Sequence, residues 1–89
     1  MYNNRSYYND WDHQILIARE RKRDEAMACL GMELDRPAPD FAMLARPFGW
    51  HAEGPITRPG DVRAAVARAR DIVLGEGRPA LVDVVTRFR

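Results

Sequence analysis

The strongest constraint on the fold of this 89-residue chain is a nearly continuous β-branched stretch at residues 79–86, Pro-Ala-Leu-Val-Asp-Val-Val-Thr. A stretch of this kind is typical of a strand that is covered on both faces, as in a parallel sheet. Such a strand needs a neighbouring strand on each side, and the chain offers at most one or two. The sequence therefore predicts an α/β fold that is part of a larger sheet.

A long amphipathic helix is predicted directly before this strand. It begins near Pro59, which suits a first helical position, and is expected to end at Gly75. Residues 50–53 form a brief extended segment before it, and a break is expected at Gly54-Pro55. Strand, helix and strand in this order predict a βαβ unit within residues 40–86.

Shorter helical patterns precede the βαβ unit. Residues 11–23 are predicted to be a helix capped by Asn9 or Asp10. Residues 24–36 are less regular, and a short helix ending at Gly31 is one interpretation. Asp40 is a predicted N-cap for a helix over residues 41–48, which Gly49 would end and which Pro47 would shorten or bend.

The composition and charge of the chain exclude several classes of protein. The chain is 46% hydrophobic with a formal net charge of +1, so a packed domain is expected rather than a dedicated nucleic-acid or membrane-surface protein. Its single cysteine, Cys29, excludes an internal disulfide and favours a reducing compartment. With no apolar stretch long enough to span a bilayer and no secretory signal, we expect a cytoplasmic protein.

Three sequence blocks together carry a family resemblance: Asn-Asn-Arg-Ser-Tyr-Tyr at residues 3–8, Asp-Phe-Ala-Met-Leu-Ala-Arg-Pro-Phe-Gly at 40–49, and Gly-Arg-Pro-Ala-Leu-Val-Asp-Val-Val-Thr at 77–86. In order and spacing they resemble the C-terminal part of the thiamine-diphosphate-binding domain of thiamine-diphosphate-dependent enzymes, in the branch of acetolactate synthase and benzoylformate decarboxylase. The resemblance implies a partial three-layer fold with a parallel sheet. It also implies a lyase or transferase that decarboxylates or ligates 2-oxo acids.

The resemblance further implies two cofactors, thiamine diphosphate and Mg²⁺. Magnesium prefers hard oxygen ligands in an octahedron. The implied protein ligands from this chain are the side-chain oxygen of Asn4 and the backbone carbonyl of Ser6, while Asn3 would shape the turn. The next three residues would line the cofactor channel, and Asp10 would lie near the substrate; the three are Tyr7, Tyr8 and Asn9.

The chain departs from the family pattern in ways that limit its activity. The Gly-Asp-Gly segment that holds the diphosphate is absent, since Gly60-Asp61 lies downstream and opens a helix. In the family that the chain resembles, the glutamate that activates the cofactor ring belongs to another domain of a neighbouring subunit. We therefore expect one partial domain over residues 1–89, with a motif loop and Arg-rich helix at 1–36 and the remaining elements at 37–89. It would be a fragment or split subunit, inactive alone, whose partners are the missing N-terminal domains of a parent enzyme or a partner polypeptide. A homo-oligomer and a small-molecule 2-oxo acid substrate are also expected.

Other interpretations remain open beside this one. Asparagine pairs often mark turns. The Arg-rich residues 19–23 could bind nucleic acid or an acidic partner, although interleaved acidic residues favour a solvated helix face or a subunit contact. The isolated polar residues have structural interpretations: surface or interface positions for His13 and His51, a buried inert thiol for Cys29, and for Asp83 a contact with a helix N-terminus or an arginine.

Overall fold

A computed structural model describes residues 1–87, so the last two residues of the predicted segment 37–89 lie outside it. Within residues 1–87 the strands are β1 (Tyr2–Asn3), β2 (His51–Ile56) and β3 (Ala80–Val85), and the α-helices are α1 (Tyr8–Glu20), α2 (Phe41–Ala45) and α3 (Pro59–Glu76). The strands form an open parallel sheet in the order β1-β3-β2. The predicted α/β fold with a central C-terminal strand is confirmed.

Strand β3 has a neighbour on each side, but its faces are less covered than its sequence predicts. Within it only Asp83 is buried, and the apolar residues on either side are half-buried. Strand β2 runs through the predicted break at Gly54-Pro55 and continues to Ile56. Pairing with β3 continues past Gly54-Pro55 because its register shifts between Glu53 and Ile56. A β-bulge at such a shift accommodates a residue that does not fit the regular ladder.

Helix α3 connects β2 to β3 and completes the predicted βαβ unit. It begins at Pro59, as predicted, and ends at Glu76, one residue beyond the expected Gly75. The residue that ends it is Gly77, which adopts φ 63° and donates its N–H to the carbonyl of Val73 at 3.1 Å. Only a residue tolerant of the left-handed region suits this position. No helix within the described residues is both long and apolar enough to cross a membrane.

Helix α2 follows its sequence signals closely. Asp40 Oδ1 accepts a hydrogen bond from the backbone N–H of Met43 at 2.7 Å, so Asp40 is the predicted N-cap. The α-helix stops at Ala45 and tightens into a 3-10 turn over Arg46–Phe48, because Pro47 has no N–H to donate. Gly49 then ends the segment with φ 80°.

The N-terminal helix differs from its prediction at both ends. Helix α1 starts at Tyr8 and not at Trp11, and its N-cap is Tyr7 rather than Asn9 or Asp10. The physical reason is a backbone bond from the N–H of Trp11 to the carbonyl of Tyr7 at 3.0 Å, which begins the helix earlier without a side-chain cap. The helix also stops at Glu20 rather than at residue 23.

The possible short helix ending at Gly31 does not form. Residues 25–32 instead make successive turns, in which N–H groups bond to carbonyls three residues earlier, as from Ala28 to Glu25 and from Leu30 to Met27. Met27 and Leu30 remain 65% and 71% exposed. A short helix is stabilised mainly by burying an apolar face, and none is buried here.

The described residues fall into two compact units. The first combines Met1–Asn3 with Asp40–Thr86 and holds the sheet, α2 and α3; the second contains Asn4–Pro39 with α1. The buried hydrophobic residues of residues 1–87 are all alanines, namely Ala42, Ala45, Ala65 and Ala69. No residue of Asn4–Pro39 is buried. Neither unit therefore has a core built from large apolar side chains.

Candidate functional site

The loop over residues 4–7 lies between a parallel strand and a helix. Strand β1 ends at Asn3, and its parallel pairing with β3 matches Asn3 with Val85. Asn4 is therefore the first residue beyond the carboxyl end of β1. Ligands of open parallel α/β sheets bind beyond the carboxyl ends of the strands.

Asn4 and Ser6, the two predicted metal ligands, are brought together by a local turn. The backbone N–H of Ser6 donates to Oδ1 of Asn4 at 3.1 Å, and Arg5 between them adopts φ 54°. This is the asparagine-driven turn that the sequence offered as an alternative. The two interpretations are compatible, because an amide oxygen has two lone pairs and can accept this bond while coordinating a cation.

Ser6 has oxygens that its neighbours leave unsatisfied. It pairs with Glu33 in an antiparallel bridge whose hydrogen bonds are made by the flanking residues, Tyr7 N–H to Met32 O at 2.8 Å and Leu34 N–H to Arg5 O at 2.7 Å. Within residues 1–87 no hydrogen bond reaches the Ser6 carbonyl oxygen, and the Ser6 hydroxyl is buried without a partner. Both are oxygens of the kind that Mg²⁺ prefers.

The remaining predicted cofactor residues lie at the start of α1. Tyr7 is 54% exposed, and Asn9 and Asp10 are exposed in the first turn. The ring of Tyr8 packs edge to face against Trp11, with the ring centroids 6.2 Å apart. No side chain caps the helix, so its first-turn N–H groups present the positive end of the helix dipole.

Asp83 has a different partner from the one predicted. It is fully buried, and its Oδ2 accepts a hydrogen bond from Nδ2 of Asn3 at 3.3 Å, so the prediction of a helix N-terminus or an arginine is wrong. The two residues are 80 positions apart in the chain. Only the pairing of β1 with β3 brings them together, and no local sequence signal indicates it.

A second polar cluster, which the sequence did not indicate, joins β2 to α3. Arg68 donates to both carboxylate oxygens of Glu53, at 2.9 and 2.6 Å, and Nε2 of His51 lies 3.0 Å from Glu53 Oε1. His51 is half-buried. Beside the cluster is an open polar cavity of about 390 Å³. The hydrogen bonds from Arg68, opposed by partial burial and aided by His51, lower the pKa of Glu53 to about 2.

We expect the Glu53–Arg68 pair to make stability depend on pH in acid. The folded-state pKa of Glu53 lies below its ordinary value of 4.5, so the pair stabilises the fold above about pH 4.5 and the contribution is lost as the pH falls toward 2. Arg68→Gln should therefore lower the free energy of unfolding at neutral pH, and the difference from wild type should vanish in strong acid. Urea unfolding of both proteins, from neutral pH to strong acid, measures this difference in the free energy of unfolding.

The matched control is Arg58→Gln, which removes an exposed pair with Asp61. Exposed pairs contribute little, so this variant should follow wild type at every pH. An Arg68→Gln variant with the same behaviour as Arg58→Gln would show that the Glu53–Arg68 pair does not stabilise the fold.

The Arg-rich residues, His13 and Cys29 lie at exposed or half-buried positions. Residues 19–24 are exposed, and Arg19 donates to both oxygens of Glu25 at 2.8 and 3.0 Å, which raises the pKa of Arg19. This agrees with a solvated, charge-paired segment. His13 is exposed as predicted, whereas Cys29 is half-buried rather than buried, and its Sγ lies 3.5 Å from the carbonyl of Ala26.

No protein-family model, no curated protein and no solved structure matches this chain at a significant level. Its function is therefore inferred from the contacts above together with the motif resemblance.

Proposed function

We propose that this chain is the C-terminal part of the three-layer thiamine-diphosphate-binding domain of an enzyme that depends on thiamine diphosphate and Mg²⁺ and acts on 2-oxo acids. It would work as a piece of a longer enzyme or as a split subunit, and it would be inactive alone. The observation that carries the proposal is the Asn4–Ser6 turn. It follows a parallel strand directly and precedes a helix without a side-chain cap.

The oxygens of this turn fit a magnesium ion held against a diphosphate. Asn4 Oδ1 and the Ser6 carbonyl would be the two ligands from this chain. An amide oxygen has two lone pairs, so accepting the Ser6 N–H does not by itself prevent Asn4 Oδ1 from coordinating a cation. The other ligands would be diphosphate oxygens and the aspartate of a Gly-Asp-Gly segment outside this chain. The first-turn N–H groups of α1 favour the negative charge of a diphosphate.

The residues present indicate what the cofactor and the chain would each contribute to the reaction. Bound thiamine diphosphate would supply the electron sink needed to break or form a bond at the carbonyl carbon of a 2-oxo acid. The described residues of this chain would bind and orient it: Asn4 and Ser6 hold the metal, and Tyr7, Tyr8 and Asn9 border the cofactor. Decarboxylation and carboligation both remain compatible with this half of the site.

The small core supports the part of the proposal that concerns partners. Domains normally fill their cores with leucine, isoleucine, valine and phenylalanine, whereas the buried hydrophobic residues here are alanines. Phe48 and Leu44 are 75% and 60% exposed beside an apolar groove of about 280 Å³ that also includes Trp50. Surfaces of this kind are suited to burial against upstream domains of a parent enzyme or against a partner polypeptide.

The test begins with the size of the polypeptide in its source. An antibody against the chain, applied to a lysate, separates a band several times larger, the parent enzyme, from a band near 10 kDa, a split subunit to be isolated with its partner. Thiamine diphosphate is then titrated calorimetrically into the parent or complex, with Mg²⁺ or with EDTA.

We expect the parent or complex to bind thiamine diphosphate with Mg²⁺ and not with EDTA, and the 89-residue chain alone to show no binding. A parent or complex that does not bind thiamine diphosphate in the presence of Mg²⁺ would contradict the proposal.

A further inference from the structure

We propose that residues 32–34, the bracing segment, position the two proposed metal ligands, with Leu34 as the positioning residue. The inference rests on the proposed function, because it concerns how well Asn4 and Ser6 are presented to Mg²⁺. Leu34 would touch neither the metal nor the cofactor and would act through the backbone of the turn.

The bracing segment contacts the turn directly. Ser6 pairs with Glu33 in an antiparallel bridge. The segment and the turn lie in the same compact unit, Asn4–Pro39. Two backbone hydrogen bonds, one on each side of Ser6, join them: Leu34 N–H to the Arg5 carbonyl at 2.7 Å and Tyr7 N–H to the Met32 carbonyl at 2.8 Å.

The bridge turns both proposed ligand oxygens to one side of the loop. In an antiparallel pair whose hydrogen bonds are made by the flanking residues, the N–H and the carbonyl of the paired residue point away from the partner segment. Ser6 is paired with Glu33 in this way. The Ser6 N–H accordingly reaches Oδ1 of Asn4, at 3.1 Å, on the side away from Glu33. The Ser6 carbonyl points to the same side, as coordination of one cation by both oxygens requires.

The hydrogen bond from Leu34 also holds a strained residue. Arg5 adopts φ 54°, in the left-handed region that residues other than glycine rarely enter. Such a conformation persists where surrounding contacts determine it, and the bond to the Arg5 carbonyl is a contact of this kind. Because Arg5 lies between Asn4 and Ser6, its relaxation would change the distance and direction between their oxygens.

Hydrogen bonds, rather than a buried core, link the bracing segment to the turn. No residue of Asn4–Pro39 is buried, and the bridge at Ser6 is isolated rather than part of a sheet. An isolated bridge between distant residues closes a loop at an entropic cost. Its two hydrogen bonds fall on the residues that flank a proposed ligand, which is where contacts that orient a metal site are found.

The test compares two proline substitutions in the parent enzyme or complex. Leu34→Pro removes the N–H that the Arg5 carbonyl accepts, and Glu33 is paired in a β-bridge, which suits a residue before proline. Asp35→Pro is the matched control, since Asp35 is exposed and its N–H makes no hydrogen bond within residues 1–87. The apparent Kd for Mg²⁺ is measured by titration at saturating thiamine diphosphate, well below the Tm of each variant.

We expect Leu34→Pro to raise the Kd for Mg²⁺ by about 10-fold or more, the range seen when an orienting residue is lost. Asp35→Pro should keep a Kd close to that of wild type. Because the folded protein is titrated, a merely structural role for Leu34 would lower the Tm and leave this Kd unchanged.

Hydrogen exchange of the wild-type parent or complex is a second measurement, which stands even where Leu34→Pro does not fold. Coupling between two equilibria is reciprocal, so bound Mg²⁺ must stabilise a segment that favours its binding. The amides of Tyr7 and Leu34 should therefore exchange about 10-fold more slowly or less with Mg²⁺ and thiamine diphosphate than with EDTA. The control is the amide of Arg23, which bonds to the carbonyl of Ala18 in the same unit and should change little.

Three results would each overturn the positioning role and leave the proposed function standing. They are an unchanged Kd for Mg²⁺ in folded Leu34→Pro, an equal rise in Asp35→Pro, and exchange at Leu34 that is slowed no more than at Arg23. Absence of Mg²⁺-dependent binding of thiamine diphosphate in the wild-type parent or complex would overturn both proposals together.

Discussion

Replacing Gly54 by alanine is expected to destabilise the protein more than the same substitution at any other glycine of the chain. Gly54 adopts φ 138°, and its added Cβ would lie 2.7 Å from both Cβ and the carbonyl oxygen of Asp83. Neither atom is at the end of a flexible side chain, so the strands themselves would have to separate. Backbone strain and overpacking each cost about 1–3 kcal/mol, and we expect a loss of about 3 kcal/mol or more in urea unfolding.

The same chain offers a matched control at Gly75. This glycine lies inside α3, and a Cβ there would meet no atom within 4 Å. Gly75→Ala should therefore stabilise the protein, by about 0.5–1 kcal/mol, because alanine loses less backbone entropy in a helix. Equal effects of the two substitutions would mean that the close approach of β2 and β3 does not exist in solution.

Elements that depend on neighbouring residues could be predicted from the sequence. The cap at Asp40, the early end of α2 before Pro47 and the start of α3 at Pro59 each follow from chemistry within one helical turn. The predicted strand at residues 79–86 is also confirmed, with bounds at Ala80–Val85. Its β-branched composition is enough to indicate a central parallel strand.

Contacts between distant residues could not be predicted in the same way. The bond between Asn3 and Asp83 spans 80 positions, and the Glu53–Arg68 pair spans 15. Both depend on which strands and helices are adjacent, which no local pattern specifies. The early start of α1 has a related cause, since the bridge between Ser6 and Glu33 fixes the chain just before the helix.

In the candidate site, too, local features could be predicted from the sequence and features that depend on distant residues could not. The spacing of Asn4 and Ser6 is local, and the turn that joins them is the one that asparagine pairs often mark. Tyr7, Tyr8 and Asn9 follow in the chain, but no local pattern specifies how a cofactor would lie across them. The strongest test of the site therefore falls on Asn4.

Asn4→Ala in the parent enzyme or complex is expected to weaken Mg²⁺ binding severely. The substitution removes a proposed ligand oxygen and also the acceptor that holds the Ser6 backbone at 3.1 Å. Loss of a residue that only orients a ligand costs about 10–100-fold in metal affinity, and loss of the ligand itself should cost at least as much. Titration of Mg²⁺ at saturating thiamine diphosphate measures the change.

Two further variants separate the possible reasons for such a loss. Asn4→Asp keeps an oxygen for both the turn and the metal, so it should retain Mg²⁺ binding. Ser6→Ala removes the buried hydroxyl but keeps the backbone carbonyl, so it should bind Mg²⁺ nearly as wild type does if the carbonyl is the ligand. A large loss in Ser6→Ala would move the ligand to the hydroxyl, whereas unchanged affinity in Asn4→Ala would remove Asn4 from the metal site. Because the turn, the carbonyl and the hydroxyl lie within three residues, the three variants are compared with one another, and the carbonyl is assigned as the ligand when the hydroxyl can be removed without loss of binding.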